Sequence, residues 1–370
     1  MYAKINYSPY CYLNFRHLNL LDFGLELNGK TQKEKLFKIG QNQNRLLDFV
    51  ELTFNYAKWI FPKYSCDYSN HIYNQPQLFT ILAMKTYLKT TYREIIEILD
   101  VSDKITKYLK LKKLPHYTTI QKFFIRMSDT KLKDLNNLIL FLHPIDCELA
   151  AMDGTGHTSD YADHYYTKIR GKCRKSYIKN HIAIDVDTRM ILNYAANRGP
   201  KYDTQFAIAS IRKLKPYKPH YILADKAYDT EPIRKCINEE VGAFDQIPLK
   251  TRAKTGHYRL NSATIFWHDV YARRMNVESV IYVIKRRFNG GNYSRSTKLQ
   301  NKETKLKDVL YNIYRVIQIF KWGFLQGYFF IMYLKNFKYD FNNILLCISF
   351  SIILSLVLGY VIEQLIKYVC

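Results

Sequence analysis

Glu148-Leu149-Ala150-Ala151-Met152-Asp153-Gly154-Thr155 follows the helix-ending Pro144 and opens the part of the chain that decides the fold. From Lys33 to about Leu142 apolar residues recur at helical spacing, whereas here a short apolar run leads straight into an acid, which predicts a strand with Asp153 at its end. Working outward, Tyr177 to Val186 alternates well enough for a second strand. Arg189 to Ala196 follows through an Asp187-Thr188-Arg189 turn, which makes an antiparallel meander. Gln205 to Leu214 is helical in pattern. His220-Tyr221-Ile222-Leu223-Ala224 reads as a buried strand ending at Asp225, a helix covers about Glu231 to Glu240, and Ala243 to Leu249 gives a last strand. The predicted order is three strands, helix, strand, helix, strand, helix. It describes an α/β fold with a mixed sheet in which Asp153 and Asp225 end neighbouring strands.

The helix that closes this series carries Tyr271, Arg274, Glu278 and Lys285. On a continuous helix advancing about 100° per residue, these four fall within a stripe of about 60°. Val277, Val280, Ile281, Ile284 and Phe288 form a neighbouring apolar stripe, so the polar one is expected at the rim of a core. A carboxylate, two cations and a phenol on one face suit phosphoryl transfer on a polyanion. Magnesium takes few carboxylates together with waters and phosphate oxygens, and two ions can activate the attacking oxygen and stabilise the leaving one. Asp153, Asp225 and Glu278 supply three acids for such a pair. Arg274 and Lys285 flank Glu278 and would grip phosphates, arginine with a two-pronged fork.

Asp153-Gly154-Thr155, the Ala224-Asp225-Lys226-Ala227-Tyr228 strand end, and the Tyr-Arg-Glu-Lys helix together resemble the catalytic core of insertion-sequence DDE transposases. The likeness runs in order from about Cys147 to about Phe320, and Leu310-Tyr311-Asn312-Ile313-Tyr314-Arg315 is also similar to that group. An Asp-Gly-Thr alone is common; the ordered set is specific. The resemblance implies an RNase H-like fold with three antiparallel strands followed by parallel ones. It also implies Mg2+ or Mn2+, as two ions, on Asp153, Asp225 and Glu278. Tyr271, Arg274 and Lys285 are then expected on the terminal phosphates of double-stranded DNA, at the element's inverted repeats and at the target. Lys226, beside Asp225, either reaches DNA or is a surface charge. The implied reaction is cleavage of element ends and joining of the 3′-hydroxyl to target DNA. A structure-specific nuclease on the same fold and a non-catalytic DNA-binding derivative stay open as alternatives.

Composition agrees with a folded, nucleic-acid-facing protein. The 370 residues are 48% hydrophobic, and 56 Lys+Arg against 32 Asp+Glu give a formal charge of +24. Such an excess suits a polyanion, whether DNA, RNA or an anionic membrane. Seven widely separated cysteines offer no zinc spacing, and Met1 to Asn6 shows no secretory signal, so a cytoplasmic setting on DNA is expected.

Four segments follow. Residues 1–30 are irregular and 31–143 helical, with capping boxes at Thr91-Tyr92-Arg93-Glu94 and Thr118-Thr119-Ile120-Gln121. The basic linker of Lys107, Lys110, Lys112 and Lys113 makes 31–143 a candidate DNA-end-binding domain, or a solvated bundle that supports the core. Residues 144–322 form the catalytic domain, with a basic loop from Leu249 to Tyr271 that holds Lys250, Arg252, Lys254, His257 and Arg259. Trp267 within it is expected to pack. The tail, 323–370, contains the uncharged run Ile344 to Ile362, which reads as a transmembrane helix, a buried or dimer-forming helix, or an unshaped tail. A homodimer would suit the pairing of two DNA ends. Asp160, Asp163, Asp185, Asp187, Asp203, Asp229 and Asp245 are the reserve acids, of which Asp185 and Asp187 read as turn formers and Asp203 as a helix cap. His157 and His164 have no ligand spacing.

Overall fold

A computed structural model describes residues 44–159, 177–199, 201–251 and 255–336. The irregular segment 1–30, the apolar run 344–362, and Asp160, Asp163, His164, Arg252 and Lys254 lie outside the described residues. No helix among the described residues is long and apolar enough to cross a membrane.

The helical region comprises α1 (Arg45–Ile60), α2 (Gln75–Leu88), α3 (Glu94–Asp100), α4 (Asp103–Leu109), α5 (Tyr117–Arg126) and α6 (Asp129–Leu142). α2 is buried on nearly every side, from Pro76 to Tyr87, and its neighbours wrap it. Its start carries a capping box. Asn74 Oδ1 accepts from Gln77 N at 2.8 Å and Gln77 Oε1 from Asn74 N at 2.8 Å, which satisfies two amides that the first turn leaves unpaired. The expected box at Thr91 also forms, since Glu94 N donates to Thr91 Oγ1 at 3.2 Å and Thr91 N to Glu94 Oε2 at 2.8 Å. The one expected at Thr118 does not. α5 begins two residues earlier, with His116 rather than Thr118 at its N-cap position, and Thr118 Oγ1 is bonded to His116 Nδ1 at 2.8 Å.

The sheet contains β1 (Leu149–Ser159), β2 (Tyr177–Asp185), β3 (Ile191–Arg198), β4 (Tyr221–Leu223), β5 (Phe244–Gln246) and the short β6 (Gly291–Asn292). Its order is β3-β2-β1-β4-β5, with β6 paired to β1. β1, β2 and β3 are antiparallel neighbours, and β4 and β5 run parallel to β1 and to each other. This mixed sheet fits an RNase H-like fold. Ala150, Ala151 and Met152 are fully buried, which is why the run reads as apolar without alternation.

Between the strands lie α7 (Thr204–Arg212) and α8 (Glu231–Lys235), the latter continued by a π-helical turn, Cys236–Val241. The stretch expected as a basic loop folds in part, into α9 (His257–Thr264) and α10 (His268–Ala272). α11 (Met275–Phe288) follows, then β6 and the long α12 (Thr297–Asn336). Val277, Val280, Ile284 and Phe288 of α11 are buried as their spacing predicts. Residues of the helical region, the sheet, α11 and α12 belong to one continuous hydrophobic core.

The Leu310 to Arg315 motif has a structural task. Tyr311 OH donates to Arg189 O at 3.0 Å, and Arg315 Nε to Thr188 O at 2.7 Å. Asn312 Nδ2 donates to Ile191 O and Asn312 Oδ1 accepts from Ile191 N, each at 2.8 Å. Three side chains of one helix thus clip the β2–β3 turn to the core.

Candidate active site

Asp153 lies inside β1 rather than at its end. β2 accompanies β1 as far as Thr158 and β6 joins at Thr158 and Ser159, so the strand has partners well beyond the acid. β4 is the strand that stops. Its register pairs Leu149 with Tyr221 and Ala151 with Leu223 and ends there; Asp225 follows two residues later, near enough for its charge to act on Asp153. There Asp225 turns the chain into a 3-10 helix, Lys226–Tyr228, with its Oδ1 accepting from Ala227 N at 2.8 Å. Asp153 Oδ1 accepts from Gly154 N at 2.7 Å.

The third acid comes from α11, which packs across β1 and β2. Glu278 lies in its first turn. The expected unbroken helix from Tyr271 to Lys285 is not seen. Tyr271 belongs to α10, Arg273 and Arg274 form a turn, and α11 starts at Met275, with Arg274 N bonded to Tyr271 O at 2.9 Å. The bend keeps the polar group together even so. Arg274 Nη2 donates to Glu278 Oε1, Nη1 lies 3.5 Å from Asp153 Oδ2, and the phenol of Tyr271 acts electrostatically on the same guanidinium. One cation therefore spans two of the three carboxylates.

Burial raises the pKa of Asp153, the Gly154 amide and Arg274 oppose the rise, and the charges of Asp225 and Asp203 add to it. Mutual repulsion among acids at one place is the signature of a site that binds positive charge. Lys285 is half-buried two turns along α11, and burial together with the charge of Lys179 lowers its pKa. Lys226 is exposed at the lip beside Asp225. As the side chains lie, no three His, Cys, Asp or Glu among the described residues are grouped to enclose a metal ion. Three carboxylates that already take one cation between two of them are nevertheless the donor set a hard divalent ion prefers.

The reserve acids sort clearly. Asp229 and Asp245 are committed to a buried network. Arg234, fully buried, donates Nε to Asp229 Oδ1 at 3.0 Å, Nη1 to Asp245, and Nη2 to Ile247 O at 2.8 Å. Arg259, from the stretch expected as a basic loop, grips Asp229 at 2.8 and 3.1 Å, and Lys250 N donates to the same acid at 2.8 Å. Against the burial that would raise it, these partners hold the Asp229 pKa down to about 2. Asp185 is the turn former expected, accepting from Thr188 N at 2.7 Å and Thr188 Oγ1 at 2.6 Å, while Asp187 pairs with Arg273. Asp203 occupies the N-cap position of α7 but makes no cap bond; its carboxylate takes Lys179 Nζ at 2.8 Å. Trp267, expected to be buried, is 51% exposed, with its ring near Tyr221 and its backbone amide on Gln246 Oε1 at 2.8 Å. His157, on β1, is buried, and the charges of Lys307 and Lys285 add to the burial that lowers its pKa to about 3.

An acid within β1, one just past the end of the neighbouring β4 and a third on a helix that packs across β1 and β2 accompany a mixed sheet that fits an RNase H-like fold. Residues 148–306, less than half of the chain, match the family model of the transposase DDE domain. The resemblance to insertion-sequence DDE transposases stands on that match, which supports a transposase in general. No curated protein matches it.

Proposed function

We propose that the protein cleaves the ends of an insertion sequence and joins the freed 3′-hydroxyl to target DNA. In the first step water attacks a phosphodiester at the element end and the 3′-oxygen leaves. In the second, that 3′-hydroxyl attacks a target phosphodiester and displaces a 3′-oxygen of the target. Asp153, Asp225 and Glu278 would hold Mg2+ or Mn2+, a pair of ions that, when bound, polarises the attacking oxygen and offsets charge on the leaving one. Arg274, Lys285, Lys226 and the Tyr271 hydroxyl would hold the phosphates on either side. Charge stabilisation and alignment carry this chemistry, so no covalent protein intermediate is needed.

What supports the reading above all is the reach of Arg274 from Asp153 to Glu278, with the charge of Asp225 acting on Asp153. For the helical region we propose recognition of the DNA end in the cytoplasm. Lys58, Lys107 and Lys110 border one cleft there, and burial together with the Lys110 charge lowers the pKa of Lys58, a crowding of cations that phosphate would relieve.

The test is cleavage of labelled end DNA by the purified chain in Mg2+. Nicked ends and joined products are expected from the natural protein and neither from Asp225→Ala. Equal cleavage by the variant removes the assigned roles; cutting without joining would leave a nuclease.

A further inference from the structure

Beside the edge strand β3, on the outer side of the sheet, lies a cleft of about 540 Å3. Three lysines from three parts of the fold line it: Lys133 on α6, Lys213 just past the end of α7, and Lys305 on α12. One acid lines it as well, Asp129, and Lys305 already takes that carboxylate at 2.7 Å. Among the described residues neither Lys133 nor Lys213 forms an ion pair. Surface ammonium groups are free to swing apart into water, yet burial together with the charges of Lys133 and Lys305 lowers the pKa of Lys213. The fold holds these cations close, and an anion between them would relieve the repulsion.

Tyr194, on β3, gives an independent sign. It lines the same cleft, and its hydroxyl is buried with no hydrogen-bond partner among the described residues. Burial raises its pKa and the charges of Asp308, Asp129 and Asp134 add to the rise, so the phenol keeps its proton and is a donor in want of an acceptor. Buried polar groups almost always find partners. A phosphate oxygen would serve, since it accepts from a phenol and from ammonium groups alike.

The position suits DNA. Tyr194 is paired with Ile182 of β2, and Ile182 with Asp153 of β1. Tyr194 is thus level with Asp153 and two strands away, roughly 10 Å at the usual strand spacing. A duplex carries one charge per about 1.7 Å of its axis, and so has phosphates for the acids and for the cleft together. Ammonium groups and a phenol that meet phosphates read no base edges, which makes such a contact blind to sequence.

We propose that this cleft is a second contact for duplex DNA, in which Lys133, Lys213 and Tyr194 hold backbone phosphates irrespective of sequence. It is separate from the cleft bordered by Lys58, Lys107 and Lys110, and it rests on the reading of the protein as one that acts on DNA.

The test measures binding of a duplex of arbitrary sequence to the full chain as salt is raised. Lys133→Gln combined with Lys213→Gln should bind more weakly, with a logarithmic salt slope shallower by about two, and by the same amount on an element-end duplex. Lys215→Gln combined with Lys235→Gln removes two cations that face acids elsewhere, Glu240 and Glu239, and should leave the slope nearly unchanged. A slope that stays put in the cleft variant, or that falls as far in the control, overturns the proposal. Acetylation of amines in the natural chain, read by mass spectrometry, asks the same question without substitution. Duplex should shield Lys133 and Lys213 from the reagent; shielding by vesicles of anionic phospholipid and not by duplex overturns the proposal. If duplex shields Lys107 and Lys110 but leaves Lys133 and Lys213 reactive, only the second contact falls. If the natural chain binds no duplex at all, the reading of the protein as one that acts on DNA falls and takes this contact with it.

Discussion

A guanidinium can join two carboxylates from different elements because it is planar and offers separate N–H edges, and Arg274 uses one edge for Asp153 and another for Glu278. An ammonium group in its place would keep the charge but could not present the same fork. Arg274→Lys is therefore expected to leave the fold intact, to keep the salt dependence of duplex binding, and to slow single-turnover end cleavage by about a hundredfold, as loss of one positioned donor does. Arg274→Ala should in addition make the logarithmic salt slope shallower by about one. Full activity in the lysine variant would show that only charge matters at this position. Near neighbours in sequence differ in role for similar physical reasons. Arg273 points away to Asp187, and Asp229, only four residues after Asp225, is unavailable to a metal because Arg234 and Arg259 already hold it.

At the scale of elements, the attachment of α12 to the meander depends on buried polar groups that a sequence pattern does not reveal. Asn312→Ala would leave the Ile191 amide and Asn136 Oδ1 without the partner they now share, at a cost of about 2–4 kcal/mol in urea unfolding. A second attachment is Asp308, fully buried, whose Oδ1 accepts from Asn180 Nδ2 at 2.8 Å. Burial pushes its pKa up to about 8. The folded state thus keeps a proton that the unfolded chain releases near pH 4. This stabilisation is complete below pH 4 and is lost as pH rises toward 8. Asp308→Asn removes that loss, so the stability of the variant relative to the natural chain should climb with pH across this window, by up to about 1.4 kcal/mol per unit. A difference that stays flat would mean Asp308 is ionised in the fold. The chain order of the strands was legible in the sequence because each strand carries its own apolar run and its own punctuation, Pro144 before β1 and the Asp187 turn between β2 and β3. The end of β1 was not, since it is set by pairing with β2 and β6, and the break at Arg273 was hidden by good helix formers on both sides. The box at Asn74 and Gln77, with Pro76 between, was readable and went unread.

On the scale of the whole molecule, the helical region and the catalytic sheet act as one folding unit. Lys302, almost fully buried on α12, donates its ammonium to the carbonyls of Phe124, Ile125 and Met127 at the end of α5, where the helix presents its unpaired oxygens. Lys305 reaches Asp129 at 2.7 Å, and Tyr87 of α2 meets the rings of Phe288 and Tyr314. A chain beginning at Asp146 would strand the Lys302 charge and expose the apolar faces of α11 and α12, including Val280, Ile284, Phe288 and Leu306. Leaving that much apolar side-chain surface in water removes a large share of the about 5–15 kcal/mol that separates a folded domain from its unfolded state. The shortened chain is accordingly expected to show no cooperative melt and to elute as aggregate, whereas residues 44 to 320 within the full chain should unfold in a single transition with coincident curves from tyrosine fluorescence and far-ultraviolet circular dichroism. Two separated transitions, or a shortened chain that melts as sharply as the full one, would mean that the sheet is stable without its helical companion. Coincident curves would also bear on catalysis, since DNA held against Lys58, Lys107 and Lys110 would then be carried by the same packed body that sets Arg274 between Asp153 and Glu278.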